Sequence, residues 1–122
     1  MGALAQVVAL GAVAPIELPN GSWSRMLVTE GNVGGNRGSL GYSVFTPGTT
    51  LAPVCHETEE FAFVVSGSGE LLLDGEKLAF GKGDALYIPG GVWHAVSNTG
   101  DEDAVMVFGF PHPDYPPTER RG

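Results

Sequence analysis

The chain has a single cysteine, Cys55, and only six lysines and arginines among its 122 residues. One cysteine excludes an intramolecular disulfide and gives no sign of an oxidising compartment, so a cytoplasmic protein is expected. The scarce cations face 14 acidic residues, for a net charge of -8. That balance excludes nucleic-acid and anionic-membrane surfaces as partners, because both need basic patches. Long apolar runs are missing too. The opening GALAQVVALGAVA is far too short to span a bilayer, and it lacks the Lys or Arg that precedes the apolar part of a secretory leader. Its valines fit a first strand instead. No internal repeat is evident.

What is abundant is turn chemistry. With 19 Gly and 9 Pro set between short apolar runs, the chain reads as an all-β domain with many tight turns. Its length suits one domain, 1–122, with roughly two-thirds of the unfolded surface buried. N-terminal strands are expected within 3–29, including Ser22 to Thr29, after a loop from Pro15 to Asn20. Glu30 to Gly38 is a glycine- and asparagine-rich loop, and Leu40 to Phe45 is a strand. Glu70 to Leu73 and Lys77 to Phe80 flank Asp74-Gly75, a dipeptide suited to a type I′ hairpin. Ala85 to Ile88 and Ala104 to Phe110 are further strands, with Thr99 to Asp103 a solvated acidic turn. The proline-rich tail, 111–122, is expected to be irregular.

Two segments carry the chemistry: Gly48 to Gly67, GTTLAPVCHETEEFAFVVSG, and Gly83 to Asn98, GDALYIPGGVWHAVSN. Side chains alternate faces along a strand, so Val54, His56 and Glu60 share one face and Cys55 turns away, as a small buried apolar residue. His94, Val96 and Asn98 share a face by the same rule. If both strands line one cavity, His56, Glu60 and His94 converge there. Two imidazoles and one carboxylate with open positions suit a divalent transition metal, Fe, Mn, Ni, Cu or Zn, and are the arrangement associated with non-haem Fe(II).

The spacing strengthens this reading. Gly48, His56, Glu60 and Gly67 stand at the intervals of the first cupin motif, and Gly83, Pro89, Gly91, His94 and Asn98 at those of the second. The chain thus resembles the cupin superfamily, in its single-domain form, with Val54 where the first motif usually has a histidine. The resemblance implies an antiparallel double-stranded β-helix, a jelly-roll barrel with its core at about 40–110, a metal inside it and commonly a homodimer made through N-terminal strands. It implies that Asn98 is structural. It also leaves two functional classes. One is a metal-dependent enzyme, a dioxygenase, decarboxylase or isomerase/lyase, on a small oxygen-chelating substrate. The other is a non-catalytic module that binds a sugar or effector with a structural metal or none. Val54 divides them, since a missing ligand either opens the site for substrate or weakens it. Arg25 and Arg37, the only cations before Lys77, are candidates for a substrate carboxylate but read first as surface residues, and His112 lies in the tail.

Overall fold

Period-two alternation governs the architecture. In the computed structural model, which describes residues 4–121, eleven strands run in chain order: β1 (Ile16–Glu17), β2 (Trp23–Val28), β3 (Ser39–Phe45), β4 (Val54–His56), β5 (Glu60–Ser66), β6 (Ser68–Leu73), β7 (Glu76–Gly81), β8 (Ala85–Ile88), β9 (His94–Ser97), β10 (Ala104–Phe110) and β11 (Thr118–Arg120). They form two sheets, ordered β1-β2-β3-β10-β5-β8 and β11-β4-β9-β6-β7. All named pairings are antiparallel. This is the expected jelly-roll barrel. No helix among the described residues is long and apolar enough to cross a membrane.

Each long strand buries one face. On β10, Ala104, Met106, Phe108 and Phe110 are buried while the residues between them are half-exposed. On β5, Ala62 and Val64 point in, whereas Phe61, Phe63 and Val65 are exposed on the outer face. Phe45, Val64, Leu71, Phe80, Ile88, Ala104 and Met106 make the main core between the sheets. Burying an aliphatic or aromatic side chain of this kind contributes about 1.5–3 kcal/mol, so this core holds together the strands that carry the site. Gly41 on β3 leaves room for the Phe108 ring, which a Cβ there would strike.

Asn98 closes the turn between motif and core. Fully buried, it donates to the carbonyls of Phe45 (2.8 Å) and Glu102 (2.9 Å) and accepts from the Gly100 N–H (2.9 Å). Its role is structural, as the motif implies, because an amide has the donors and the acceptor to satisfy three backbone groups at once.

Five expectations need correction. The stretch from Pro15 to Asn20, expected to be a loop, contains β1, whose Ile16 and Glu17 pair with Ser24 and Trp23 of β2. The apolar opening is not a strand: residues 4–9 are coil, Leu10–Ala12 is a short 3-10 turn, and residue 3 lies outside the described residues. The segment lies beside β2 and β3 without joining a ladder, and is held by Gln6 Nε2, which donates to the Val33 carbonyl (3.4 Å), and by the Arg25 guanidinium, which donates to the carbonyls of Val13 (2.7 Å) and Leu10 (3.3 Å). The Asp74-Gly75 turn joins β6 to β7 in the expected register, yet only Gly75 has positive φ (77°). A type I′ turn requires positive φ at both residues, and Asp74 stays at negative φ with its carboxylate gripped by Arg121 at 2.8 and 3.1 Å. Cys55 turns away from the cavity but is half-buried, opposite Glu119. Most consequentially, the tail forms β11, which pairs with β4. Its prolines all precede the strand, and a proline lacks a donor but keeps its acceptor: the Pro117 carbonyl accepts from the Glu57 N–H at 3.0 Å.

Candidate metal centre

His56 ends β4, Glu60 begins β5 and His94 begins β9. The register pairs Val54 with His94 across β4 and β9, and the Gly91 N–H donates to the His56 carbonyl at 2.9 Å, tying the second motif's turn to the first motif's strand. Gly91 makes this bend at φ 80°, a conformation that costs a side-chain-bearing residue energy. The three side chains meet as expected. His56 Nε2 lies 3.2 Å and His94 Nε2 3.3 Å from the same Glu60 oxygen, Oε1, and one ligand atom from each residue falls within 4.8 Å of the others. Both histidines are about 95% buried.

The hydrogen bonds on the far side of each ring decide what these atoms present. His94 Nδ1 lies 2.9 Å from the Val92 carbonyl, which can only accept, so Nδ1 carries the hydrogen. His56 Nδ1 lies 2.8 Å from Thr118 Oγ1, and that hydroxyl spends its own hydrogen on the Pro116 carbonyl at 2.8 Å. The Thr118 oxygen is therefore the acceptor here too. Each neutral ring then turns a bare Nε2 lone pair toward a carboxylate oxygen that has no donor among the described residues. Three acceptors facing one another with nothing to donate require a positive charge between them, either a proton or a metal ion. The donor set fits a divalent transition metal by this test.

The titration behaviour points the same way. Burial pushes the Glu60 carboxyl up, but contacts with His56 and His94 outweigh it and hold the group below its ordinary 4.5. Burial pulls His94 down, and the Glu60 contact and the Val92 carbonyl together outweigh it and raise the imidazole above 6.5. A lowered carboxyl contributes stability above 4.5 that is lost as pH falls; a raised imidazole contributes stability below 6.5 that is lost as pH rises past its folded value. Without metal, the pair therefore stabilises the fold most between 4.5 and 6.5. Melting chelator-treated wild-type protein and Glu60→Gln across pH is expected to show the wild-type advantage peaking in that window. An advantage that does not vary with pH would rule this linkage out.

The triad lines a cavity of about 300 Å³ between the sheets. Val54 faces it beside His56, as alternation predicts. Arg25 is occupied by backbone carbonyls and lies over the Trp23 ring, 5.0 Å from its centroid. Arg37 is exposed and His112 is hydrogen-bonded within its own turn to Asp114; neither lines the cavity. The cation that does line it is Arg120, which pairs with Val54 across β11 and β4. Tyr115 also lines the wall, its ring edge-on to His56 at 5.3 Å and to Phe110 at 5.5 Å. Thr118, Arg120 and Tyr115 all come from the tail, and alternation within the two motif segments carried no signal of them.

Known proteins share both sequence and fold with this chain. It is 39% identical over 85 residues to the polyketide synthase CurC of Streptomyces cyaneus, covering 69% of this chain and 55% of that relative, so the chain spans about half of CurC's length. It is 35% identical over 115 residues to the protein SchB of Streptomyces halstedii, covering 90% and 83% of the two chains. Among solved structures, the polyketide cyclase RemF from Streptomyces resistomycificus superposes with a TM-score of 0.81 at 22% identity, over 98% of this chain and 87% of that one. A family model described as a cupin domain matches residues 41–110, which include both motifs, and on that match and the SchB likeness the chain belongs to the cupin family.

Proposed function

We propose that the protein is a metal-dependent enzyme, of the isomerase or lyase kind, acting on a small apolar molecule that carries neighbouring oxygens. The observation that carries this reading is the set of three opposed acceptors, His56 Nε2, His94 Nε2 and Glu60 Oε1, lining a largely apolar cavity. These residues would hold one divalent transition metal, which when bound supplies Lewis-acid polarisation of substrate oxygens. The chain's own groups do the rest. Thr118 and the Val92 carbonyl keep the hydrogens on Nδ1, so that both Nε2 atoms face inward. The apolar walls make the surroundings less polar than bulk water and so strengthen charge interactions inside. Tyr115, raised by burial with Arg120 opposing, keeps its proton at neutral pH and remains a donor at the cavity wall. Arg120 offers a cation to an anionic oxygen beside Val54. The names of CurC and RemF, a polyketide synthase and a polyketide cyclase, favour a ring-closing step on a substrate with several carbonyls over a dioxygenase or decarboxylase.

A second reading stands on Val54. With valine where the motif usually has histidine, the module binds a small ligand without catalysis, its metal structural or absent. Protein purified without chelator should carry up to one divalent transition metal per chain. Elemental analysis that finds none, together with no uptake of added Fe, Mn, Ni, Cu or Zn, would decide for the binding module.

Thr118 supplies a sharper check of the ligand geometry. Thr118→Val keeps the shape of the side chain but removes the acceptor that holds the hydrogen on His56 Nδ1. Losing such an outer partner typically weakens metal binding, and about a tenfold fall in nickel or zinc affinity is expected. Equal affinities by titration calorimetry would mean that the hydroxyl plays no part.

A further inference from the structure

The polar side chains that line the cavity fall into two groups. His56, Glu60 and His94, with Tyr115 and Arg120 from the tail, make one; Ser24 and Ser43 make the other. These serines are directly opposed on β2 and β3, and their oxygens lie 2.6 Å apart. Two hydroxyls carry two hydrogens, and a single contact uses one of them. The second hydrogen has no protein acceptor among the described residues, and the pair receives no other donor. Ser43 is only 3% exposed, while Ser24 is half-buried and is where the pair meets the cavity. The hydrogen left over is therefore free to meet a ligand oxygen there, in exchange for water.

A purely structural role leaves a different signature nearby. Ser22 lies against Thr46 and Thr49 at 3.3 and 3.0 Å, accepts from the Thr46 N–H, and so ties a turn together with its capacity used. Ser24 and Ser43 join two strands that the backbone ladder already joins. Their remaining capacity faces the cavity.

The register places this pair relative to the triad. Ser43 stands opposite Met106, and Met106 opposite Val64, four residues along β5 from Glu60. Four residues of strand separate the two groups by about 13 Å along the strand direction. Between them the inward side chains are apolar: Met26, Ala62, Leu86 and Phe108. Gly41, with no side chain, lets the Phe108 ring lie flat over β3. Such a floor favours a flat body over a branched one.

We propose that Ser24 and Ser43 form a distal polar subsite, which hydrogen-bonds an oxygen at the far end of an elongated, flat ligand. The near end of that ligand carries two adjacent oxygens at His56, Glu60 and His94. The placement of the near end rests on the function proposed above; the serine subsite itself does not. The cavity volume of about 300 Å³ suits a body of two or three rings.

Zinc-loaded protein titrated calorimetrically with 4-phenylcatechol and with its 4′-hydroxy derivative tests this. The added hydroxyl is expected to tighten binding to the wild type by roughly three- to tenfold, the worth of one neutral hydrogen bond. The Ser24→Ala, Ser43→Ala double variant is expected to lose that gain while binding 4-phenylcatechol as the wild type does. Should the double variant fail to fold, Ser24→Ala alone, at the half-buried position, is expected to lose most of the gain. Equal affinity of the wild type for the two catechols, or a gain that survives the serine changes, overturns the subsite. If neither catechol binds, the metal reading fails instead, and 4-hydroxybiphenyl against biphenyl then reads the serines without chelation: a wild-type preference for the hydroxylated compound, lost in the variant, upholds the subsite, and no preference overturns it.

Discussion

Glu60→Gln protein is expected to purify with metal at background level and, in alkaline buffer with chelator, to melt a few degrees above the wild type. Glu60 supplies the only negative charge of the cluster, and its Oε1 sits 3.2 and 3.3 Å from two imidazole nitrogens without a donor to satisfy it. Replacing the carboxylate with an amide removes the charge that a divalent cation needs most. The same change places an N–H donor where three acceptors had faced one another, and one neutral hydrogen bond contributes about 1 kcal/mol. Affinity and stability should therefore move in opposite directions, as they do where a site holds strained or uncompensated groups for function. Elemental analysis and paired melting curves measure both. A Glu60→Gln variant that keeps a full equivalent of metal would remove the carboxylate from the ligand set.

Val54→His should tighten divalent-metal binding by on the order of 100-fold and lower or redirect activity. Residue 54 stands directly across from His94, where paired Cβ atoms lie about 4.5–5.5 Å apart, and on the same face as His56. An imidazole there reaches the cluster as a fourth donor. In the native chain an octahedral metal with three protein ligands keeps about three positions for substrate or water. A fourth histidine takes one of them and fills the apolar quadrant that Val54 shares with Arg120 at the cavity wall. Competition titration against a chelator of known strength reads the affinity. If Val54→His creates metal binding where the native protein has none, the native site is degenerate and the enzyme reading is lost. If it leaves affinity unchanged, a fourth donor does not reach the ion.

The tail shows where a linear reading stops. Its prolines argue against regular structure, and within the tail's own chemistry that argument is sound. Yet Thr118 meets His56 across 62 residues of chain, and β11 completes the edge of a sheet that the motif strand began. The opening segment is the reverse case: its valines favour a strand, yet among the described residues it joins neither sheet. Arg25, a candidate for a substrate carboxylate, is spent on backbone carbonyls, whereas Arg120 reaches the cavity because its strand pairs with β4.

By itself the sequence determined whatever depends on one strand and its turns. Val54, His56 and Glu60 share a face, Cys55 turns away, Asn98 locks a corner, and the motif spacing identifies the barrel. These follow from alternation and turn chemistry, which act over a few residues. Only the tertiary structure decided which nitrogen each histidine offers, which cation lines the cavity, and that two serines from β2 and β3 end as a pair in the same wall as Glu60. Those depend on which strands become neighbours, and that is set by the summed packing of segments far apart in the chain, for which no single stretch carries a local signal.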